Sequence, residues 1–123
     1  MNVTRILHHS VNVEGSLEPT IEFYRSLFSL DDADRPDIPG VGGHWFTVGD
    51  AQIHLVDARA GDDPIRPTGP HDCFGVEDLE AAVDELEARG IAYLRGNQGP
   101  VVQVWFNDPA GHTIEIQQET WTR

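Results

Sequence analysis

Lysine is absent from this chain. All eight basic residues are arginine, against 21 Asp and Glu, and the net charge is −13. That balance argues against nucleic acid as a partner, because binding there rests on cationic neutralisation of phosphates. The missing lysine itself follows as readily from a GC-rich coding genome as from any function. Cysteine occurs once, at Cys73, which excludes an intramolecular disulfide and points to a cytoplasmic protein. No apolar run approaches the roughly 20 residues a membrane helix needs. The N-terminus lacks the pattern of a signal peptide. What remains is an ordinary globular composition, 39% hydrophobic and 24% charged over 123 residues. That length suits one domain, residues 1–123, with a sizeable core.

The most informative feature is a repeat. One copy opens with His8-His9-Ser10-Val11-Asn12-Val13-Glu14 and closes with Gln52-Ile53-His54-Leu55. The other opens with His71-Asp72-Cys73-Phe74-Gly75-Val76-Glu77 and closes with Thr113-Ile114-Glu115-Ile116. His8 and His71 are 63 positions apart, and His54 and Glu115 are 61 apart. A Gly-, Pro- and Asp-rich seam over 60–70 separates unit one (5–59) from unit two (71–119).

Each unit reads as strand, helix and three strands. In unit one, Ile6–Val13 alternates as a strand. Leu17–Leu30 is helical, with Ser16 as N-cap, Pro19 in the first turn, and Leu17, Ile21, Tyr24 and Phe28 on one face. Asp34–Ile38 reads as a short edge strand despite Pro36. His44–Val48 and Gln52–Val56 form a hairpin turning at Gly49-Asp50. In unit two, His71–Val76 is a strand, and Leu79–Ala88 is a helix capped by Asp78 and stopped by Gly90. Ala92–Arg95, Val101–Phe106 and Thr113–Gln117 are strands, the last two joined by the turn at Asn107–Gly111.

Alternation assigns faces. Leu7, His9, Val11 and Val13 share one face of the first strand, and His8, Ser10 and Asn12 the other. Phe74 and Val76 oppose His71, Cys73 and Gly75; Ile53 and Leu55 oppose Gln52 and His54; Ile114 and Ile116 oppose Thr113, Glu115 and Gln117. The apolar faces need the two amphipathic helices to cover them. The other faces gather His8, His54, His71 and Glu115. The expected fold is therefore α+β: two tandem βαβββ units forming a curved, half-open mixed sheet around a cavity, with the helices outside.

Further segments carry a family resemblance: Ile21-Glu22-Phe23-Tyr24-Arg25-Ser26-Leu27-Phe28, and Asn107-Asp108-Pro109-Ala110-Gly111-His112 before the closing strand. With the two strand openings they cover nearly the whole chain. The chain resembles the vicinal oxygen chelate superfamily, also called the glyoxalase/bleomycin-resistance/dioxygenase family. It departs from the family pattern in three places: an apparent insertion at Ser16, His112 where asparagine is common, and His54 where glutamate or glutamine is common.

The resemblance implies a divalent metal (Zn, Ni, Co, Mn or Fe(II)) held by His8, His71 and Glu115, with His54 either a fourth ligand or a substrate contact. It implies a small oxygenated substrate chelated through adjacent oxygens, with Glu115 doubling as a general base if it leaves the metal. Asn12, Trp45, Gln103 and Trp105 are the candidate substrate contacts. The first function that follows is a metal-dependent lyase or isomerase (or related transferase), which a fourth protein ligand at His54 favours; the alternatives are an Fe(II) extradiol-type dioxygenase and a metal-free drug- or metabolite-binding protein. Relatives with two units per chain imply a two-fold homodimer, with the site either within one chain or shared.

Blander readings stand beside these. His9 is structural, and His44 and His112 are surface residues beside turns. Trp45 and Trp105 either line the cavity or pack in the core. Cys73 is a small filler rather than a nucleophile. Glu80, Asp84, Glu85 and Glu87 form a solvated helix face.

Overall fold

The computed structural model describes residues 1–119; the last four positions of the expected 1–123 span lie outside the described residues. In chain order the elements are β1 (Val3–Asn12), α1 (Leu17–Phe28), β2 (Asp31–Asp32), β3 (Gly42–Val48), β4 (Ala51–Asp57), β5 (His71–Val76), α2 (Leu79–Ala88), β6 (Tyr93–Gln98), β7 (Val101–Asn107) and β8 (Thr113–Gln118). The eight strands form one sheet in the order β2-β3-β4-β1-β5-β8-β7-β6. That order is the same unit written twice, reversed about the antiparallel β1–β5 pair. Within each unit the first and last strands run parallel, β1 with β4 and β5 with β8.

Each helix covers its own unit. Ile21 of α1 packs with Phe46 and Leu55, joined by Leu17 and Tyr24. Leu79, Ala82, Val83 and Leu86 of α2 pack with Val76, Val104 and Ile116. Fully burying a side chain such as Leu86 or Leu55 stabilises the fold by about 1.5–3 kcal/mol each. Phe28, expected on the buried face of α1, is 54% exposed and contacts only the neighbouring rings of Phe23 and Tyr24 among the described aromatic pairs. The helix ends there, at Ser29 in the left-handed conformation, so Phe28 lies past the part of α1 that faces the sheet.

Asp78 caps α2 as its sequence suggests, its Oδ1 accepting from Ala81 N–H at 3.0 Å. Gly90, at φ 67°, ends that helix. Ser16 precedes α1, but its side chain does not cap it. Its carbonyl instead accepts from the Thr20 N–H and from the Thr20 hydroxyl. The strand expected at Asp34–Ile38 is not formed. Only Asp31–Asp32 pairs with β3; beyond it, Pro36 and Pro39 remove N–H donors from any ladder. The β6 strand runs to Gln98, further than its short apolar core suggested.

Two irregularities in the β1–β5 register, between Val3 and Arg5 and between Ile6 and His8, insert extra residues into β1. The second bulge reverses the parity of the residues before it. Leu7 therefore lines the cavity rather than the helix-facing side, while Ile6 is exposed on the outside. The seam is tied by amides. Asn12 Nδ2 donates to the carbonyls of Ala58 and Thr68, both at 2.8 Å, and Asn107 Nδ2 to that of Pro64. No helix among the described residues is long and apolar enough to cross a membrane.

Candidate metal centre

The four central strands bring the ligand candidates together. His8 on β1 stands between Gln52 of β4 and Cys73 of β5. Cys73 in turn stands opposite Glu115 of β8, and Ser10 opposite His71. Three side-chain atoms converge: His71 Nε2 is 3.0 Å from Glu115 Oε1, and His8 Nε2 is 3.4 Å from both. Donors bound to one metal at about 2.0–2.1 Å are about 2.9 to 3.4 Å apart, depending on geometry. The triangle fits that spacing. It also closes within one chain.

Its three members are nearly inaccessible to solvent, with Glu115 only 2% exposed. Burial alone would raise the Glu115 carboxyl, but hydrogen bonds from His71 and His8 outweigh it and hold the carboxyl well below its usual range. Burial pulls His71 down, and its contacts with Glu115 and the Gly69 carbonyl more than reverse that, so its pKa is raised. His71 Nδ1–H donates to Gly69 O at 2.8 Å, which fixes the ring and aims Nε2 at the cluster. Glu115 Oε2 is held on its far side by amides, Gln117 Nε2 at 2.7 Å and Gln103 Nε2 at 3.3 Å. Oε1 alone is thus presented to the triangle.

His54 is near but differently disposed. Its ring stacks on His8 at 4.0 Å and on Trp45 at 3.8 Å, nearly parallel to both. Its Nε2–H donates to Gln52 Oε1 at 2.8 Å. Burial, then the neighbouring His8, lower its pKa to about 2, so the ring is neutral. Cys73 Sγ groups with the donor atoms of His8 and Glu115, all within 4.8 Å of one another. The His8–His71–Glu115 set is tighter, and Cys73 is a protonated thiol: burial and Glu115 push its pKa well up.

The other candidates fall as follows. Trp45, Gln103 and Trp105 line the cavity, which has a volume of about 920 Å³. Asn12 does not; its amide is committed to the seam carbonyls. His9 points away from the cavity, 52% exposed at its side chain, and pairs with Asp72 at 2.5 Å. His44 and His112 pair with Asp32 and Asp108 outside the site. Parity placed Ser10 and Gln117 on the ligand face in sequence, but neither was counted among the site residues; Ser10 Oγ is 3.4 Å from His71 Nε2, and Gln117 holds Glu115 Oε2. Sequence reasoning passed over Arg35, a cavity residue in the loop before β3.

The fold is that of a class of proteins built from paired βαβββ units, with the cluster on its central strands. A family model for the Glyoxalase/Bleomycin resistance protein/Dioxygenase superfamily matches residues 5–116, and the chain belongs to that superfamily. A comparison with curated proteins found no match. Among solved structures, a hypothetical protein from Bacillus halodurans C-125 aligns with TM-score 0.75 at 18% identity, covering 97% of this chain and 96% of that one. A superfamily member from Vibrio splendidus 12B01 aligns with TM-score 0.67 at 14% identity, covering 96% and 100%. The 2,3-dioxygenase LapB from Pseudomonas sp. KL28 aligns with TM-score 0.72 at 27% identity; the match covers 97% of this chain but 42% of LapB.

Proposed function

We propose that this protein is a divalent-metal enzyme that holds its metal with His8, His71 and Glu115 and acts on a small substrate through two adjacent oxygens. The observation that carries this reading is the triangle of Nε2, Nε2 and Oε1 atoms at 3.0–3.4 Å. A metal-free binding protein would have no use for buried donors at that spacing. When bound, a divalent ion would supply Lewis-acid chelation of the two oxygens and, as Fe(II), one-electron chemistry toward dioxygen.

The chain's own residues do the rest. Gly69 O orients His71 through Nδ1. Gln103 and Gln117 hold Glu115 Oε2 aside, which keeps the carboxylate in one pose. The Trp45–His54–His8 ring stack forms a flat wall beside the ligands, suited to a planar substrate.

Two reaction classes fit such a site. A lyase, isomerase or related transferase would draw on Glu115 as a base and His54 as a fourth ligand. Here both are otherwise engaged, Glu115 by two amides and His54 by Gln52. A two-His, one-carboxylate set with open positions favours oxygen chemistry, and the likeness to LapB, which its name calls a 2,3-dioxygenase, points the same way. We therefore place extradiol-type dioxygenation ahead of the lyase and isomerase class.

The test is metal stoichiometry on protein purified without added metal, followed by oxygen uptake with catechols after Fe(II) loading. Stoichiometric metal with oxygen uptake supports the dioxygenase. Stoichiometric metal without uptake returns the lyase or isomerase class to first place. Absence of metal binding in the wild type would end the metalloenzyme reading.

A further inference from the structure

The chain carries few cations, and most are already paired. Among the described arginines, Arg5, Arg25, Arg59, Arg89 and Arg95 each make an ion pair with a carboxylate. Arg66 makes no ion pair with a described residue and does not line the cavity. Arg35 does line it, half-buried, and no carboxylate of the described residues pairs with it. That is unusual in a chain with 21 Asp and Glu. The cavity is not short of acids: Asp37 and Asp50 line it as well, while Glu119 is taken by Arg5 and Glu115 by the histidines.

The guanidinium is placed by construction. Its Nη2 donates to Val41 O at 2.7 Å. It lies over Gly43, where an added Cβ would stand 3.1 Å from Nε and 3.2 Å from Nη2, and also 2.4 Å from the Leu55 carbonyl oxygen. The repeat shows what Gly43 replaces. Trp45 faces His54 on the neighbouring strand as Trp105 faces Glu115. Two residues earlier, unit two has Gln103, whose amide fills this space and reaches Glu115. Unit one has Gly43, and a cation from the preceding loop lies in the vacated space. Among the described residues, only one donor of the fork is committed to protein. The remaining N–H groups suit the two oxygens of a carboxylate, phosphate or phosphonate.

The geometry points to Arg35 as a specificity-determining residue that binds an oxyanionic group of the substrate, so that the substrate is a small anion carrying two chelating oxygens. This rests on the metal-site reading above and narrows it to a substrate class.

The experiment uses two hydroxamates with the same metal-binding head, acetohydroxamate and N-hydroxysuccinamic acid, of which only the second carries a carboxylate. Each is titrated into Co(II)-loaded wild type, Arg35→Ala and Arg35→Lys, followed by the cobalt visible spectrum. Wild type should favour the carboxylate-bearing probe by roughly tenfold to a hundredfold, the range of a charge-assisted hydrogen bond. Arg35→Ala should lose that preference and leave acetohydroxamate binding unchanged; Arg35→Lys should keep part of it. Equal affinity of wild type for the two probes, or a preference that survives in Arg35→Ala, overturns the assignment. A second arm needs no metal. Inorganic phosphate titrated into the metal-free protein should shift the Arg35 Nε–H resonance, and absence of that shift also overturns it. Failure of cobalt to bind sinks the metal reading alone, and the phosphate titration then decides for Arg35.

Discussion

His8 and His9 are neighbours in sequence with opposite surroundings, so exchanging one or the other for alanine is a sharp test of the site. His8 is 7% exposed, with Nε2 3.4 Å from both His71 and Glu115. Four-ligand structural zinc sites are worth about 10–16 kcal/mol, or about 3 kcal/mol per ligand. His8→Ala should therefore weaken metal binding by roughly a hundredfold or more. Among the described residues, His9 is tied only to exposed Asp72. An exposed ion pair contributes about 0–1 kcal/mol, so His9→Ala should leave metal affinity unchanged and stability nearly so. Affinity is read by competition for zinc against a chromophoric chelator. Thermal unfolding gives an independent readout: metal at a hundred times Kd stabilises by about 2.7 kcal/mol, which for a chain this long raises Tm by on the order of 10 °C. That rise should survive in His9→Ala and fall to about 2 °C or less in His8→Ala at the same metal concentration. The reverse pattern would mean that the β1 register is off by one and the wrong imidazole faces the cavity.

Three further outcomes are expected. His54, with a folded pKa of about 2 against 6.5 when unfolded, should show no imidazole titration by NMR between pH 5 and 8. Because its pKa is depressed, the unfolded state takes up a proton that the fold refuses. This contribution is therefore present above pH 6.5 and lost as pH falls, and the acid-side loss of urea stability should be shallower in His54→Phe. Asp78→Ala should cost about 0.5–2 kcal/mol in urea unfolding, since it removes the cap on Ala81 N–H; no change would mean that water replaces the cap at no cost. Sedimentation at micromolar concentration should give a homodimer, which would cover outward apolar residues such as Phe23, Leu27 and Ile6; a monomer would refute that expectation.

Much of this architecture was legible because the repeat fixes topology and strand parity fixes faces. Parity chose His8 over His9, and from His8 to Asn12 no bulge disturbs the count. The same rule misplaced Leu7, one residue earlier, because a bulge leaves no mark in a six-residue apolar pattern. Symmetry brought His54 beside His8, but only the structure shows its ring stacked and its Nε2 engaged with Gln52. Asn12 has the inward parity of His8 and Ser10, yet β1 ends there and its amide turns to the seam. Arg35 lies in a proline-flanked loop without periodicity, and nothing in its sequence neighbourhood indicates that Gly43 leaves room for it.

The doubled unit has a consequence for charge. Two identical copies meeting about a two-fold axis can contribute ligands to a metal on that axis only in even numbers. Such a metal is held with no carboxylate or with two, never with one. Joining the copies in a single chain lifts that restriction, because each half can then change alone. Here unit two carries Glu115 where unit one carries the neutral ring of His54, and unit two carries Gln103 where unit one carries Gly43. A chain whose halves are alike in path and different in chemistry can set two imidazoles and one carboxylate together at the centre of its sheet, as His8, His71 and Glu115 are set here. The left and the right of that cavity are not equivalent.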